Sequence, residues 1–131
     1  MRGILGHSAL RARKRNAPRP EWKVADAFRQ WLRGRACACM GRNADCGGPM
    51  RSAHVDYAAK GTPDAKGASS KVADRWCIPL SDNCHKLQHV IGWPAFDARY
   101  LPAKAEQLAA EYWRAWPGRK KWEQELEARN G

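Results

Sequence analysis

The 131-residue chain is poor in the side chains that build an ordinary core: 17 residues, about 13%, are Leu, Ile, Val or Phe. Alanine supplies 22 of its apolar residues, and the formal net charge is +11. Few aliphatic residues with a high net charge ordinarily describe a disordered chain. Seven Trp and three Tyr oppose that reading, because each large ring buries roughly 150–250 Å². The expectation is one small domain, anchored by aromatic rings and helped by a bound metal.

Several classes fall away on composition. No run approaches the ~18–20 apolar residues of a membrane span. The opening stretch, MRGILGHSALRARKR, has too short an apolar segment for a signal peptide and runs straight into basic residues. Five Cys is an odd number, and without an export signal a disulfide framework is not expected. A soluble, cytoplasmic protein without a membrane partner is the expectation.

The charge is concentrated at the front. Residues 1–35 carry ten Lys/Arg against two acids, whereas residues 36–96 carry seven against five. Arg11, Arg13, Lys14 and Arg15, followed by Pro18 and Pro20, read as a flexible basic arm over residues 1–20. Such an arm suits phosphate contact by counterion release, so DNA is the expected partner. Lys71 and Lys86 join the four arm residues as candidate phosphate contacts. The plainer alternative is a solvated tail.

Residues 21–131 read as a single α+β domain, with a core over 37–100 and C-terminal helices over 101–131. Pro20 stands like a first helical residue, with Trp22, Ala25, Phe28, Trp31 and Leu32 following at helical spacing up to Gly34. Residues 35–50 form a Cys- and Gly-rich knuckle. Ser52–Tyr57 and Asp74–Leu80 predict two strands across a Gly/Ser/Lys loop at 60–71, with Pro79 pointing to an edge. A helix capped by Ser81 or Asp82 runs to Gly92. A short helical stretch over 94–100 comes next, then a helix after Pro102 and a charged helix from Lys120 to Arg129. The Trp residues on these helices are expected as core anchors.

The chemistry concentrates in the middle. His85 and His89 are four residues apart, so on a helix they face one way, about 40° apart, within reach of one ion. His54 lies on the first strand, and the hairpin can carry it back to that helix. A His so placed can act as general base, taking a proton from water while an ion polarises a phosphate. Cys37, Cys39, Cys46 and Cys84, with Cys77 in reserve, are enough for a tetrahedral thiolate site. Against this, Cys-x-Cys is a strained spacing for adjacent ligands, and buried Cys also serve as small apolar residues.

The stretch from Cys37 to Tyr100 resembles the HNH endonucleases, the ββα-metal family. Within them it is most similar to a phage and prophage group related to the recombination-enhancement nuclease Ref. The matching pieces are Ala53-His54-Val55, Lys71-Val-Ala-Asp74, Ile78-Pro-Leu80, Cys84-His85, His89 and Gly92-Trp93-x-x-Phe96. The resemblance implies a small ββα-metal module with a short β-hairpin, flanked by N- and C-terminal helices. It gives His54 the role of general base, His85 and His89 those of metal ligands, and Asp74 the orientation of the base or support of the metal. It also implies one divalent ion (Mg, Mn or Zn) and cleavage that leaves 5′-phosphate and 3′-hydroxyl ends, while a structural zinc on the cysteines rests on their number alone and stays open.

Two departures matter. Where many members carry a ligand just before the base, this chain has Ala53. Asp56 or Asp74 would then supply an oxygen ligand, or His54 itself would touch the ion. The Cys-x-x-Cys-His pattern is reduced to Ser81-Asp-Asn-Cys84-His85. Asp74 as a turn cap and His89 as an exposed residue near phosphate stay open. The activity implied is nicking or cleaving of DNA with weak sequence preference. Two rivals stand beside it. One is a non-catalytic zinc module that binds nucleic acid. The other is a phage accessory protein acting through a recombinase or another phage protein.

Overall fold

The computed structural model describes residues 19–67 and 70–130. Among them are five α-helices and one two-stranded antiparallel sheet. The helices are α1 (Asp26–Arg33), α2 (Asp82–Ile91), α3 (Trp93–Tyr100), α4 (Ala105–Ala115) and α5 (Arg119–Asn130). The strands are β1 (Met50–His54) and β2 (Cys77–Ser81). The α+β class and the order of helix, knuckle, hairpin and helices agree with expectation. Among the described residues no helix is long and apolar enough to cross a membrane.

The expected first helix is split. Glu21–Lys23 forms a 3₁₀ turn, Val24 and Ala25 leave the helical path, and α1 begins at Asp26. The cause is distant in sequence: the buried Ala25 N–H donates to Asp74 Oδ2 at 2.9 Å. Arg19 also belongs to the packed domain, through Asp74 (2.8 Å), so the arm ends before residue 20. Arg11, Arg13, Lys14 and Arg15 lie outside the described residues.

Both strands are shifted from their expected bounds. β1 ends at His54 because the Val55 carbonyl turns to accept from Ala58 N at 2.9 Å. Asp74–Trp76 is a 3₁₀ turn, and β2 begins only at Cys77. The register pairs His54 with Cys77, Ala53 with Ile78 and Ser52 with Pro79. Pro79 is tolerated because its carbonyl points away from β1, accepting from Ala38 N at 2.8 Å. In an antiparallel strand the N and C=O of one residue face the same side, so the missing donor costs no ladder bond.

Alternation along the strands creates two faces. Ala53, Ile78 and Leu80 belong to a core with Cys84, Phe96, Ala105 and Ala109, under α2, α3 and α4. Cys77 belongs instead to an aromatic cluster with Phe28, Leu32, Trp113 and Trp116. Phe28 meets Trp113 edge-on, with centroids 5.0 Å apart. Trp93, Trp113 and Trp116 are thus core anchors, whereas Trp22 is 36% exposed and is not one. Ser81 caps α2, accepting from Cys84 N at 3.3 Å. Gly92 closes α2 and opens α3 at a φ of 83°, a left-handed turn that suits glycine.

Candidate active site and metal centre

The thiols of Cys37, Cys39, Cys46 and Cys84 lie within 4.8 Å of one another. Four sulfurs at about 2.3 Å from a tetrahedral zinc stand about 3.8 Å apart, so a small contraction fits an ion. The knuckle brings in the first three, and the first turn of α2 brings in Cys84. Met40 (φ 53°) and Gly41 (φ 81°) turn the loop left-handed just after Cys39. That turn relieves the strain expected of Cys-x-Cys.

The surroundings treat the sulfurs unequally, favouring the thiolate at Cys39 and the thiol at Cys37 and Cys84, where burial dominates. Ser81 N–H donates to Cys37 Sγ and Asn43 Nδ2 to Cys84 Sγ, each at 3.2 Å. Burial alone would raise Cys39, but backbone N–H groups at Asn43 and Gly41 and the neighbouring thiols outweigh it and bring it to about 7. Burial leads at Cys37, pushing it up to about 12 in the metal-free chain. Cys77 does not join the set. It is fully buried at the far end of β2, where it packs with Phe28 and Trp113. The four-thiol set was legible from the sequence; Asn43 and Ser81, which bind the sulfurs, were not.

At that far end His54 Nε2 lies 2.8 Å from Asp74 Oδ1. Asp74 is 1% exposed and also accepts from Arg19 Nη1 at 2.8 Å and Ala25 N at 2.9 Å. Burial acts to raise its pKa, but the bonds from His54, Ala25 and Arg19 outweigh it and hold the carboxyl well below the usual range. An ionised carboxylate can only accept, so the proton of the neutral ring sits on Nε2 and the lone pair on Nδ1. Both Asp74 oxygens have donors within the fold and the side chain has almost no exposure, so its bonds go to His54, Arg19 and Ala25. Arg19 was missed because its partner is 55 residues away in sequence.

On α2, His85 Nε2 and His89 Nε2 are 3.1 Å apart. Two nitrogens on one ion at about 2.05 Å are separated by about 2.9 Å at a right angle and about 3.3 Å at the tetrahedral angle. The spacing is that of a hydrogen bond between the two rings, and it also falls in the range of two nitrogens on one ion. Burial, then the positive fields of His89 and Arg51, push His85 down, which favours the neutral, ligating ring.

The three imidazoles do not close on one point. Among the described residues, the cysteine group alone has three or more His, Cys, Asp or Glu ligand atoms within 4.8 Å of one another. The reason is the period of the strand. His54 shares its face with Ser52, which is bonded to Arg29 and Arg33 of α1. Ala53, 1% exposed and without a donor, packs in the core with Cys84 of α2, while His54 reaches His85 only through its field. Asp56 is exposed and lines a different cavity, with Tyr57 and Trp93. Lys86 is exposed and pairs with Asp82 at 2.9 Å. Lys71 is exposed near the Asp74 end.

Compared with models of protein families, with curated proteins and with solved structures, the chain matches none.

Proposed function

We propose that this chain is a metal-dependent DNA endonuclease of the ββα-metal type, with a structural zinc on Cys37, Cys39, Cys46 and Cys84. One observation carries the reading: a buried carboxylate holds His54 at the end of β1, in a hairpin whose following helix presents His85 and His89 3.1 Å apart. His85 and His89 would hold the active-site cation, with water completing its shell. That ion, when bound, supplies positive charge to the scissile phosphate and the leaving oxygen.

The residues of the chain do the rest. Asp74 keeps the His54 proton on Nε2 and leaves Nδ1 to take a proton from water. As water oxygen bonds to phosphorus and its proton passes to His54 Nδ1, the P–O3′ bond breaks, the leaving O3′ takes a proton from solvent, and His54 is left as an imidazolium. The anionic Asp74 stabilises that charge, and Arg19 and the Ala25 amide keep Asp74 ionised. The sequence has no stretch that resembles a base-reading device, so cleavage is expected to have weak sequence preference.

A supercoiled-plasmid assay with Mg²⁺, Mn²⁺ or Zn²⁺ tests this. Nicking is expected with at least one ion, and His54→Ala should lower it by about 10²–10⁴-fold. Full activity in His54→Ala would remove the base assignment. The second reading, a non-catalytic zinc module on nucleic acid, is favoured by Ala53, which leaves the helix pair without a partner from the strand. Plasmid retention without nicking under every ion would select it. Nicking that appears only when a recombinase is added would select the accessory role.

A further inference from the structure

Two arginines on α1 converge on one neutral oxygen beside His54. Arg29 Nε donates to Ser52 Oγ at 2.9 Å, and Arg33 Nη1 donates to the same oxygen at 3.2 Å. Among the described residues neither guanidinium has a carboxylate within 4.0 Å, although the other ion pairs of the fold do. Like charges brought to one point repel, and a hydroxyl offers no charge to offset them. A guanidinium that is not spent on an acid keeps its forked donors for a phosphate. Ser52 is buried and Arg33 exposed, so the pair opens outward from a fixed base.

Position adds to the chemistry. Ser52 and His54 lie on one face of β1, two residues apart, or about 6.7 Å. That is comparable with the step between neighbouring phosphates of one nucleic-acid strand. The field at this end of the hairpin is positive apart from Asp74. At Cys77 burial and then Asp74 raise the thiol, while Arg29, Arg19 and Lys71 act in the opposite direction.

We infer that Arg29 and Arg33, seated on Ser52, form a binding site for one backbone phosphate of a nucleic-acid strand running along the α1 side of the hairpin. The inference rests on the nucleic-acid reading above, and it makes the α1 face the surface on which the strand lies. Neither arginine was among the expected phosphate contacts, because neither stands in a basic run.

The test is DNA binding by the full chain as purified, with no divalent ion added, measured by fluorescence anisotropy on a labelled duplex between 50 and 200 mM salt. One lost phosphate contact makes the log–log salt slope shallower by about 0.9, so the affinity ratio across that range falls by about 3.5-fold. Arg29→Gln/Arg33→Gln should show this change at an unaltered melting temperature. Arg29→Lys/Arg33→Lys should keep most of the slope, because the charge remains. If the double Gln variant does not fold, Arg33→Gln alone, at an exposed residue, should still make the slope shallower. A folded Gln variant with an unchanged slope overturns the site, and the nuclease reading stands if the wild type nicks plasmid. A shallower slope in a wild type that never nicks keeps the site and removes the nuclease. A wild type that does not bind DNA removes both.

Discussion

The two ends of the hairpin are held by opposite means. At the Ser81 end four sulfurs lie within 4.8 Å of one another, with hydrogen bonds reaching them from Ser81 and Asn43. At the Cys77 end a single carboxylate, buried to 1% exposure, accepts from Arg19, Ala25 and His54. The first end is a four-cysteine group able to hold an ion, whereas the second is closed by hydrogen bonds within the chain. With the proposed zinc bound, a chain with so few aliphatic residues would have one cross-link of each kind, only one of them dependent on an ion.

The sharpest way to break this comparison is to remove the metal. Structural zinc contributes on the order of 10–16 kcal/mol in small fingers, as much as a whole domain's net stability of about 5–15 kcal/mol. Metal analysis should find a tightly held zinc, and Cys39→Ser or a strong chelator should abolish cooperative unfolding by circular dichroism. A metal-free chain that melts unchanged would show that the sulfurs are only packing.

Next comes the carboxylate. Asp74→Ala leaves the Arg19 charge and the Ala25 amide without their acceptor and should cost about 3–5 kcal/mol in denaturant unfolding. The pH dependence has a definite sign. The folded pKa of Asp74 is depressed below the ordinary carboxylate value of 3.8. Its stabilisation is therefore fully present above the unfolded pKa and is lost as pH falls below about 3.8 toward the folded value. Wild type should lose stability across that acid window, and Asp74→Asn should lose less.

Lys23 gives a smaller effect at the same end. Its side chain is largely buried, and Nζ donates to Ala65 O at 3.1 Å and Lys71 O at 3.4 Å. Lys23→Ala should cost about 1.5–3 kcal/mol and speed amide exchange at Ala73, whose N–H donates to Asp64 O. The smallest effect is reserved for Cys77→Ala. It should cost on the order of 1 kcal/mol for one lost buried atom and leave zinc content unchanged, which separates the fifth cysteine from the other four.

What was legible in the chain was local. The Ser81 cap, the stops at Gly34 and Gly92, and the i, i+4 spacing of His85 and His89 each depend on neighbours within a turn. The four cysteines were legible because thiols in a short knuckle and at a helix start have few other uses together. The rest was hidden by distance. Nothing near Ala25 announces that its N–H will go to Asp74 and break a helix that its periodicity supports. The face on which His54 falls depends on the register of β1, and one residue of slip would exchange it with Ala53. Whether three imidazoles meet is thus a property of pairing, which the spacing of His residues does not encode.

The bond from Ala38 to Pro79 has one more consequence. The outer side of β2 has no amide at residue 79, and its carbonyl is taken by the knuckle. A foreign strand finds nothing there to pair with while the knuckle is in place. If the thiolate loop opened, that carbonyl would be bared beside the apolar residues Ile78 and Leu80. Opening of that loop, as removal of the proposed zinc would cause, should therefore do more than loosen the molecule: it would uncover a surface prone to self-association, and cloudiness in solution should accompany the lost fold.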